Sequence, residues 1–290
     1  MSEADADKIA TVAVLGAGTM GHGIAQVCAM AGCTTRLQDL GQAQVDAGLA
    51  KIAANLDAGV ARGKVSQELR DQTLARLSGT TVVEDAVAGA DLVIEAAPEK
   101  LAIKREIFSR VAAVVRPDTV LGTNTSSLSI SDIAEPIPHP ERLIGLHFFN
   151  PVHIMKLLEI VVGRQTSPEV TATMRAFAAR IGKEPIVVQD APGFATSRLG
   201  LVIGLEAIRM VEQGVASAED IDKAMTLGYG FPMGPLKLTD LVGLDVRLSI
   251  AEYLAGKLED GQHFQPPQLL RDMVAEGKLG KKSGRGFYEW

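Results

Sequence analysis

The sequence is short of the features that mark several large classes of protein. It has only two cysteines in 290 residues, Cys28 and Cys33. That is no disulfide framework, and both fall where small apolar side chains pack a core in a reducing compartment. It has no basic excess: the net charge is −6, and no lysine- or arginine-rich run marks a surface for nucleic acid. It has no uninterrupted apolar stretch long enough to cross a bilayer. Residues 1–7 are acidic and polar, unlike a secretory signal or a transit peptide. There are no internal repeats and no low-complexity linker. A cytoplasmic protein is expected, with neither a membrane nor a nucleic acid as partner. With 47% hydrophobic residues, it can bury one large core or two ordinary ones.

What is present is concentrated first in residues 9–39. An apolar run, Thr11-Val12-Ala13-Val14-Leu15, leads into Gly16-Ala17-Gly18-Thr19-Met20-Gly21. A helix-like segment follows over residues 24–31, then a second strand over residues 33–38 that ends at Asp39. Strand, glycine turn, helix, strand and acid together form a dinucleotide-binding fingerprint, for which a bare G-x-G-x-x-G would be weak evidence. Gly16 permits the tight turn, Gly18 leaves room for a pyrophosphate, and Gly21 lets helix and strand approach. The helix N-terminus offers amide N–H groups to the phosphates. Asp39 accepts from a ribose 2′-hydroxyl and repels a 2′-phosphate, so NAD is expected over NADP. A glycine turn in another kind of α/β protein is the competing reading.

The rest of the chain continues the alternation. Residues 42–77 have apolar positions at helical spacing and read as a long helix or helical hairpin, with Gly59 and Gly63 near its turn. Its Asn55, Arg62 and Lys64 fit either a solvated face or contact with an anionic substrate tail. Strands are expected at residues 81–83, 91–97, 119–123, 142–149, 155–162 and 184–188, with helices at 101–115 and 168–181. Glu99 and Lys104 flank the start of the first of these helices, at a strand end where doubly wound sheets bind ligands; they could equally be a surface charge pair. Asn124-Thr125-Ser126-Ser127 fits a ligand loop, a cap for a helix beginning near residue 129, or both. After Gly193 the chain reads as helices only, at 198–213, 218–226, 235–249 and 268–276. The expected architecture is α/β: a Rossmann-type dinucleotide-binding domain over residues 1–188 and a helical domain over 189–290, joined through Gln189-Asp190-Ala191-Pro192.

Two polar residues interrupt apolar strands. His147 ends one, and Glu159 stands within Leu157-Leu158-Glu159-Ile160-Val161. A dry carboxylate costs several kcal/mol unless it is paired. The short loop between the strands lets the two side chains meet. A histidine so held has its tautomer fixed and its imidazolium form favoured, which suits a general base taking a proton from an alcohol as hydride leaves for NAD. A purely structural His–Glu pair is the alternative. No metal is expected, because His139, His147 and His153 lack zinc-like spacing with other ligands. Ser126 and Ser127 lack the setting of a nucleophile elbow.

Taken together, these motifs resemble the 3-hydroxyacyl-CoA dehydrogenase family, particularly its single-function 3-hydroxybutyryl-CoA members. The resemblance spans essentially the whole chain. It rests on residues 16–25, Asn124-Thr125-Ser126-Ser127-Leu128, His147-Phe148-Phe149-Asn150-Pro151, Lys156-Leu157-Leu158-Glu159, Asp190-Ala191-Pro192-Gly193-Phe194 and Gly284-Arg285-Gly286-Phe287-Tyr288. It implies NAD-dependent oxidation of an (S)-3-hydroxyacyl-CoA to the 3-oxoacyl-CoA. It gives His147 the part of catalytic base, Glu159 that of its partner, and Ser126 contact with the reacting oxygen, with Asn150 beside the base. It places Gly16, Gly18, Thr19, Met20, Gly21, Asp39, Glu99, Lys104 and, near the C-terminus, Lys282 at the NAD. Asn55 and Arg62 or Lys64 then meet the CoA tail. The helical domain resembles one through which such enzymes form homodimers. One position departs from the pattern: the family commonly has asparagine where this chain has Ser197, a shorter side chain that still donates a hydrogen bond. Two other functions compete: a related dehydrogenase of a free hydroxy or sugar acid, and a non-catalytic NAD-binding protein.

Overall fold

The computed structural model describes residues 8–290; the acidic residues 1–7, expected to carry no targeting signal, lie outside them. The chain divides into two compact units, one reaching to Asp190 and the other formed by Ala191–Trp290. The division falls just past the expected boundary at residue 188, because the last strand runs on to Gln189.

The first unit is built on an eight-stranded sheet: β1 (Thr11–Leu15), β2 (Thr34–Gln38), β3 (Leu77–Thr80), β4 (Leu92–Glu95), β5 (Val120–Thr123), β6 (Leu143–Phe148), β7 (Leu157–Val162) and β8 (Glu184–Gln189). Their order across the sheet is β3-β2-β1-β4-β5-β6-β7-β8. The first six run parallel; β7 pairs antiparallel with β6, and β8 parallel with β7. Both faces are covered, so β4, β5 and β6 are buried along their whole length and carry near-continuous apolar residues. The order reverses at β1, and ligands of such sheets bind beyond the strand carboxyl ends at that point.

The helices of this unit are α1 (Gly21–Met30), α2 (Gln42–Ala61), α3 (Gln67–Ala75), α4 (Val83–Val87), α5 (Leu101–Ala112), α6 (Ile130–Ala134) and α7 (Pro168–Arg180). The expected long helix after β2 is a hairpin of α2 and α3. Gly63, at φ +65°, turns the chain after α2, and the Ser66 hydroxyl accepts from the Leu69 amide to start α3. Ile24, Leu37, Ile94, Ile144, Ile160 and Phe177 are among the side chains of one continuous core.

The strand expected at residues 81–83 is a correction. Pairing with β2 ends at Thr80, whose hydroxyl accepts from the Val82 amide and turns the chain. Val83 then opens α4, with Glu84 and Asp85 in its first turn, where acidic side chains favour a helix. The β-branched pair Val82-Val83 signals strand locally, and the turn overrides it.

The second unit is built of helices, α8 (Thr196–Glu212), α9 (Ala218–Gly228), α10 (Pro235–Val242), α11 (Leu244–Lys257) and α12 (Gln268–Ala275), with isolated bridges at Gly280–Arg285 and Arg285–Glu289. The single helix expected at residues 235–249 is two, because Gly243 adopts φ +102°, which no helix tolerates. The C-terminal segment is fastened by Asp240, which accepts from the amides of Phe287 and Tyr288 and the indole of Trp290, each at 2.9 Å.

Candidate active site

The glycine turn sits at the carboxyl end of β1, and its shape demands glycine at two places. Gly16 has φ +104°, and a Cβ there would come within 2.7 Å of the Ala96 carbonyl oxygen. At Gly21 a Cβ would fall 1.6 Å from the Gly16 oxygen. Gly18, by contrast, faces open space, with nothing within 4 Å of where its Cβ would be. Gly18 and Thr19 are exposed, and Met20 precedes α1 without a side-chain cap or any acid in the helix's first turn. An uncapped helix end over a cradle kept empty by a glycine fits the pyrophosphate of a dinucleotide. Asp39, just past the end of β2, accepts from the Ala17 amide through one oxygen and from the Leu40 amide through the other, both at 2.7 Å. The acid thus braces the loop.

On the same edge of the sheet, β6 ends with His147 and Phe148. Because β7 runs antiparallel, His147 stands directly opposite Glu159. His147 Nδ1 lies 2.7 Å from Glu159 Oε2, and both residues are buried. An ionised carboxylate only accepts, so the proton of this bond belongs to Nδ1 and the lone pair to Nε2. Phe149 packs on the imidazole, with ring centroids 4.4 Å apart. Asn150 follows and is exposed.

Between these two features lies the loop after β5. Asn124 Oδ1 accepts from the Phe148 amide at 2.9 Å, tying the loop to the end of β6. Glu99 Oε1 gathers the Thr125 hydroxyl at 2.6 Å, the Ser126 amide at 2.8 Å, the Ser126 hydroxyl at 3.2 Å and the Ser127 amide at 3.2 Å. Desolvation opposes ionisation of Glu99, but the Lys104 ammonium, the Thr125 hydroxyl and the Ser126 amide outweigh it and hold the carboxyl below its ordinary range. Glu99 and Lys104 are therefore not a bare surface charge pair. The loop does not cap α6 either: Ser129 does, together with Asp190, which accepts from the amides of Ile130 and Ser131.

Two matching family models cover nearly the whole chain: the 3-hydroxyacyl-CoA dehydrogenase NAD binding domain over residues 11–191 and its C-terminal domain over residues 193–290. The chain is 44% identical over 286 residues to the 3-hydroxybutyryl-CoA dehydrogenase of Mycobacterium tuberculosis, covering 98% of this chain and 99% of that protein. It is 44% identical to the Escherichia coli 3-hydroxyadipyl-CoA dehydrogenase, of whose length it spans 59%. The crystal structure of (S)-3-hydroxybutyryl-CoA dehydrogenase from Ralstonia eutropha superposes with a TM-score of 0.94 at 40% identity, over 97% of this chain and 99% of that one. The chain belongs to the 3-hydroxyacyl-CoA dehydrogenase family. It is an NAD-dependent oxidoreductase, with a Rossmann-like NAD-binding domain and a helical C-terminal domain. No helix among the described residues is long and apolar enough to cross a membrane.

Within this dehydrogenase the remaining sequence candidates are spread more widely. Asn55 donates to Gln26 at 3.1 Å and so clamps α2 to α1. Arg62 and Lys64 are exposed in the turn between α2 and α3. Ser197 and Lys282 belong to the helical unit: Ser197 lies in the first turn of α8, and Lys282 Nζ donates to Asp245 at 2.6 Å.

One residue of the site was missed by sequence reasoning. Glu95, fully buried at the end of β4, accepts from Lys104 Nζ at 2.7 Å, the Ala97 amide at 2.6 Å and the Thr123 hydroxyl at 2.6 Å. Lys104 is itself only 1% exposed and reaches Glu99 at 3.3 Å. The signal was available: an acid closing the apolar run Leu92-Val93-Ile94 needs a partner for the same reason as Glu159.

Proposed function

We propose that this chain catalyses the reversible oxidation of a short-chain (S)-3-hydroxyacyl-CoA, 3-hydroxybutyryl-CoA above all, to the 3-oxoacyl-CoA. The observation that carries the reading is the 2.7 Å contact between His147 and buried Glu159 at the carboxyl edge of a sheet whose first turn is a glycine cradle. The names of the relatives from M. tuberculosis and R. eutropha support the acyl class.

NAD, when bound, accepts the hydride from C3 of the substrate. His147 Nε2 takes the proton of the C3 hydroxyl, and Glu159 stabilises the imidazolium that results. In the reverse direction the same imidazolium returns the proton to the 3-oxo oxygen. The Ser126 hydroxyl and the Asn150 amide orient the reacting oxygen toward the base. Gly16, Gly18, Thr19, Met20 and Gly21 hold the cofactor's pyrophosphate, Asp39 its ribose, and Glu99, Lys104 and Lys282 its nicotinamide half. Asn55, Arg62 and Lys64 meet the CoA tail, and Ser197 the acyl end. In this reading residues 1–188 serve the cofactor and 189–290 the substrate and a homodimer contact, in the cytoplasm.

The test is oxidation of NADH with acetoacetyl-CoA, compared with free acetoacetate and with NADPH. Rapid turnover with the thioester and NADH is expected. Preference for the free acid would move the enzyme to the hydroxy-acid dehydrogenases, and preference for NADPH would remove Asp39 from its part. His147→Gln should lower kcat by ~10²–10⁴-fold while NAD still binds. Near-normal turnover by that variant would end the general-base reading.

A further inference from the structure

Within the helical unit, α8 meets Arg247 of α11 at two glycines. A Cβ at Gly204 would stand 3.7 Å from both the guanidinium carbon and Nη1 of Arg247, and 3.3 Å from the Thr239 hydroxyl. A Cβ at Gly200, one turn earlier, would meet the same Nη1 at 3.8 Å. Its chain neighbours and α8's own backbone apart, it would meet nothing else within 4 Å. The head of the arginine thus lies along the side of α8 that has no side chains, with open space beside it over Gly200.

That guanidinium is alone. Arg247 is only 7% exposed, and its Nε is sealed from solvent without an acceptor. Among the described residues it makes no ion pair and no hydrogen bond. Asp245, two residues earlier, is held by Lys282, and Asp240 by the C-terminal segment. The other buried cations are provided for: Lys104 has Glu95, and Arg142 donates to the carbonyls of Arg116 and Ala112. Burial, with no charge to offset it, pushes the Arg247 guanidinium down to about 10. An unpaired buried charge is costly to a fold, and a bound anion offsets that cost. The place and the donors indicate which anion. Ser197, Gly200 and Gly204 are three and four residues apart and share one face of α8. From Ser197 to Gly200 is ~4.5 Å along the axis, a few carbon–carbon bonds. The planar guanidinium fork matches a carboxylate. Thr239, the other side chain met there, already donates its hydroxyl to the Pro235 carbonyl at 2.8 Å, so it adds no donor for the larger demand of a phosphate.

We propose that Arg247 and the open space over Gly200 form a carboxylate subsite for the far end of the acyl chain, so that the enzyme selects 3-hydroxyacyl-CoA thioesters whose chain ends in a carboxylate. The proposal rests on the acyl-CoA reading above, in which Ser197 meets the acyl end. The reaction at C3 is unchanged, and the subsite adds selectivity for the chain.

The test compares 3-oxoadipyl-CoA with 3-oxohexanoyl-CoA, which has a methyl group in place of the carboxylate. With NADH, wild type should reduce the first with a kcat/KM at least about tenfold higher, the worth of a charge-assisted pair. Arg247→Met should lose or invert that preference, and Arg247→Lys, which keeps the charge but not the fork, should keep part of it. The ratio of the two thioesters cancels any general loss of activity in a variant. Equal efficiency with both thioesters in wild type, or an unchanged ratio in Arg247→Met, would overturn the subsite. An unchanged ratio together with altered sedimentation of Arg247→Met would give the guanidinium to a carboxylate of a second copy instead. If wild type turns over neither thioester nor acetoacetyl-CoA, the acyl-CoA reading fails. Thermal unfolding with adipate then decides the subsite by itself: stabilisation of wild type but not of Arg247→Met supports it, and equal stabilisation or none overturns it.

Discussion

The Ser126 amide donates to Glu99 at 2.8 Å, so a carboxylate from the start of one helix shapes the loop that follows a different strand. The same oxygen takes the Thr125 hydroxyl and the Ser127 amide. The loop's conformation is therefore set from outside its own sequence.

A pH effect on stability follows. Glu99 is held below its ordinary range in the folded chain. A group with a depressed folded pKa contributes stability that is fully present above its unfolded value, about 4.3, and is lost as pH falls through the folded value. Glu99→Gln should be less stable than wild type at pH 7, and the gap should narrow below pH ~4. Urea unfolding at pH 7 and at pH 3.5 checks this; an unchanged gap would show that the carboxylate's charge is not what orders the loop.

The buried Lys104–Glu95 contact makes a larger claim. Removing one partner of a buried ion pair leaves an uncompensated charge, which costs about 3–5 kcal/mol. Lys104→Met should fall in that range by equilibrium unfolding. The double variant Lys104→Met with Glu95→Gln should recover part of the loss, because the stranded charge is gone. No recovery in the double variant would mean that the packing of the lysine stem, not its charge, matters.

The glycine turn separates folding from cofactor binding. Gly21→Ala must move the Gly16 carbonyl and should destabilise by about 3 kcal/mol. Gly18→Ala meets open space and should fold with near wild-type stability, while losing NAD affinity because the added methyl occupies the approach of the pyrophosphate. Thermal unfolding paired with NAD titration by fluorescence distinguishes the two; normal NAD affinity in Gly18→Ala would place the pyrophosphate elsewhere.

Ser197 stands where the resemblance leads one to expect asparagine. Serine keeps a hydrogen-bond donor in the first turn of α8. Ser197→Asn should change kcat/KM by less than about tenfold, ~1.4 kcal/mol. A much larger loss in steady-state kinetics would show that the hydroxyl has a task asparagine cannot do.

The parts of the fold that were legible in the sequence are those specified locally. The glycine turn, Asp39 and the apolar parallel strands follow from spacing alone, and His147 and Glu159 stood out as polar residues in buried runs. What was not legible depends on partners distant in sequence. Glu95 looks like a strand-ending acid until Lys104 and Thr123 come to it. The polar loop after β5 looks like a helix cap until Ser129 and, from 59 or more residues away, Asp190 take that part. The break at Gly243 and the short α4 were hidden by helical and β-branched neighbours whose local signals the turns overrode.

The reversal at β7 has a mechanical consequence. It sets imidazole and carboxylate on a single rung of an antiparallel ladder, 12 residues apart in the chain, with β8 bonded along β7 on the carboxylate's side. Stretching that rung would strain the β7–β8 ladder, where Glu159 stands opposite Ile186, and the bond by which Asn124 ties Phe148 to the loop after β5. The His147–Glu159 pair is thus a rigid anvil, and if it serves as the base proposed above, whatever flexing a catalytic cycle demands must be taken up by the loops that surround it.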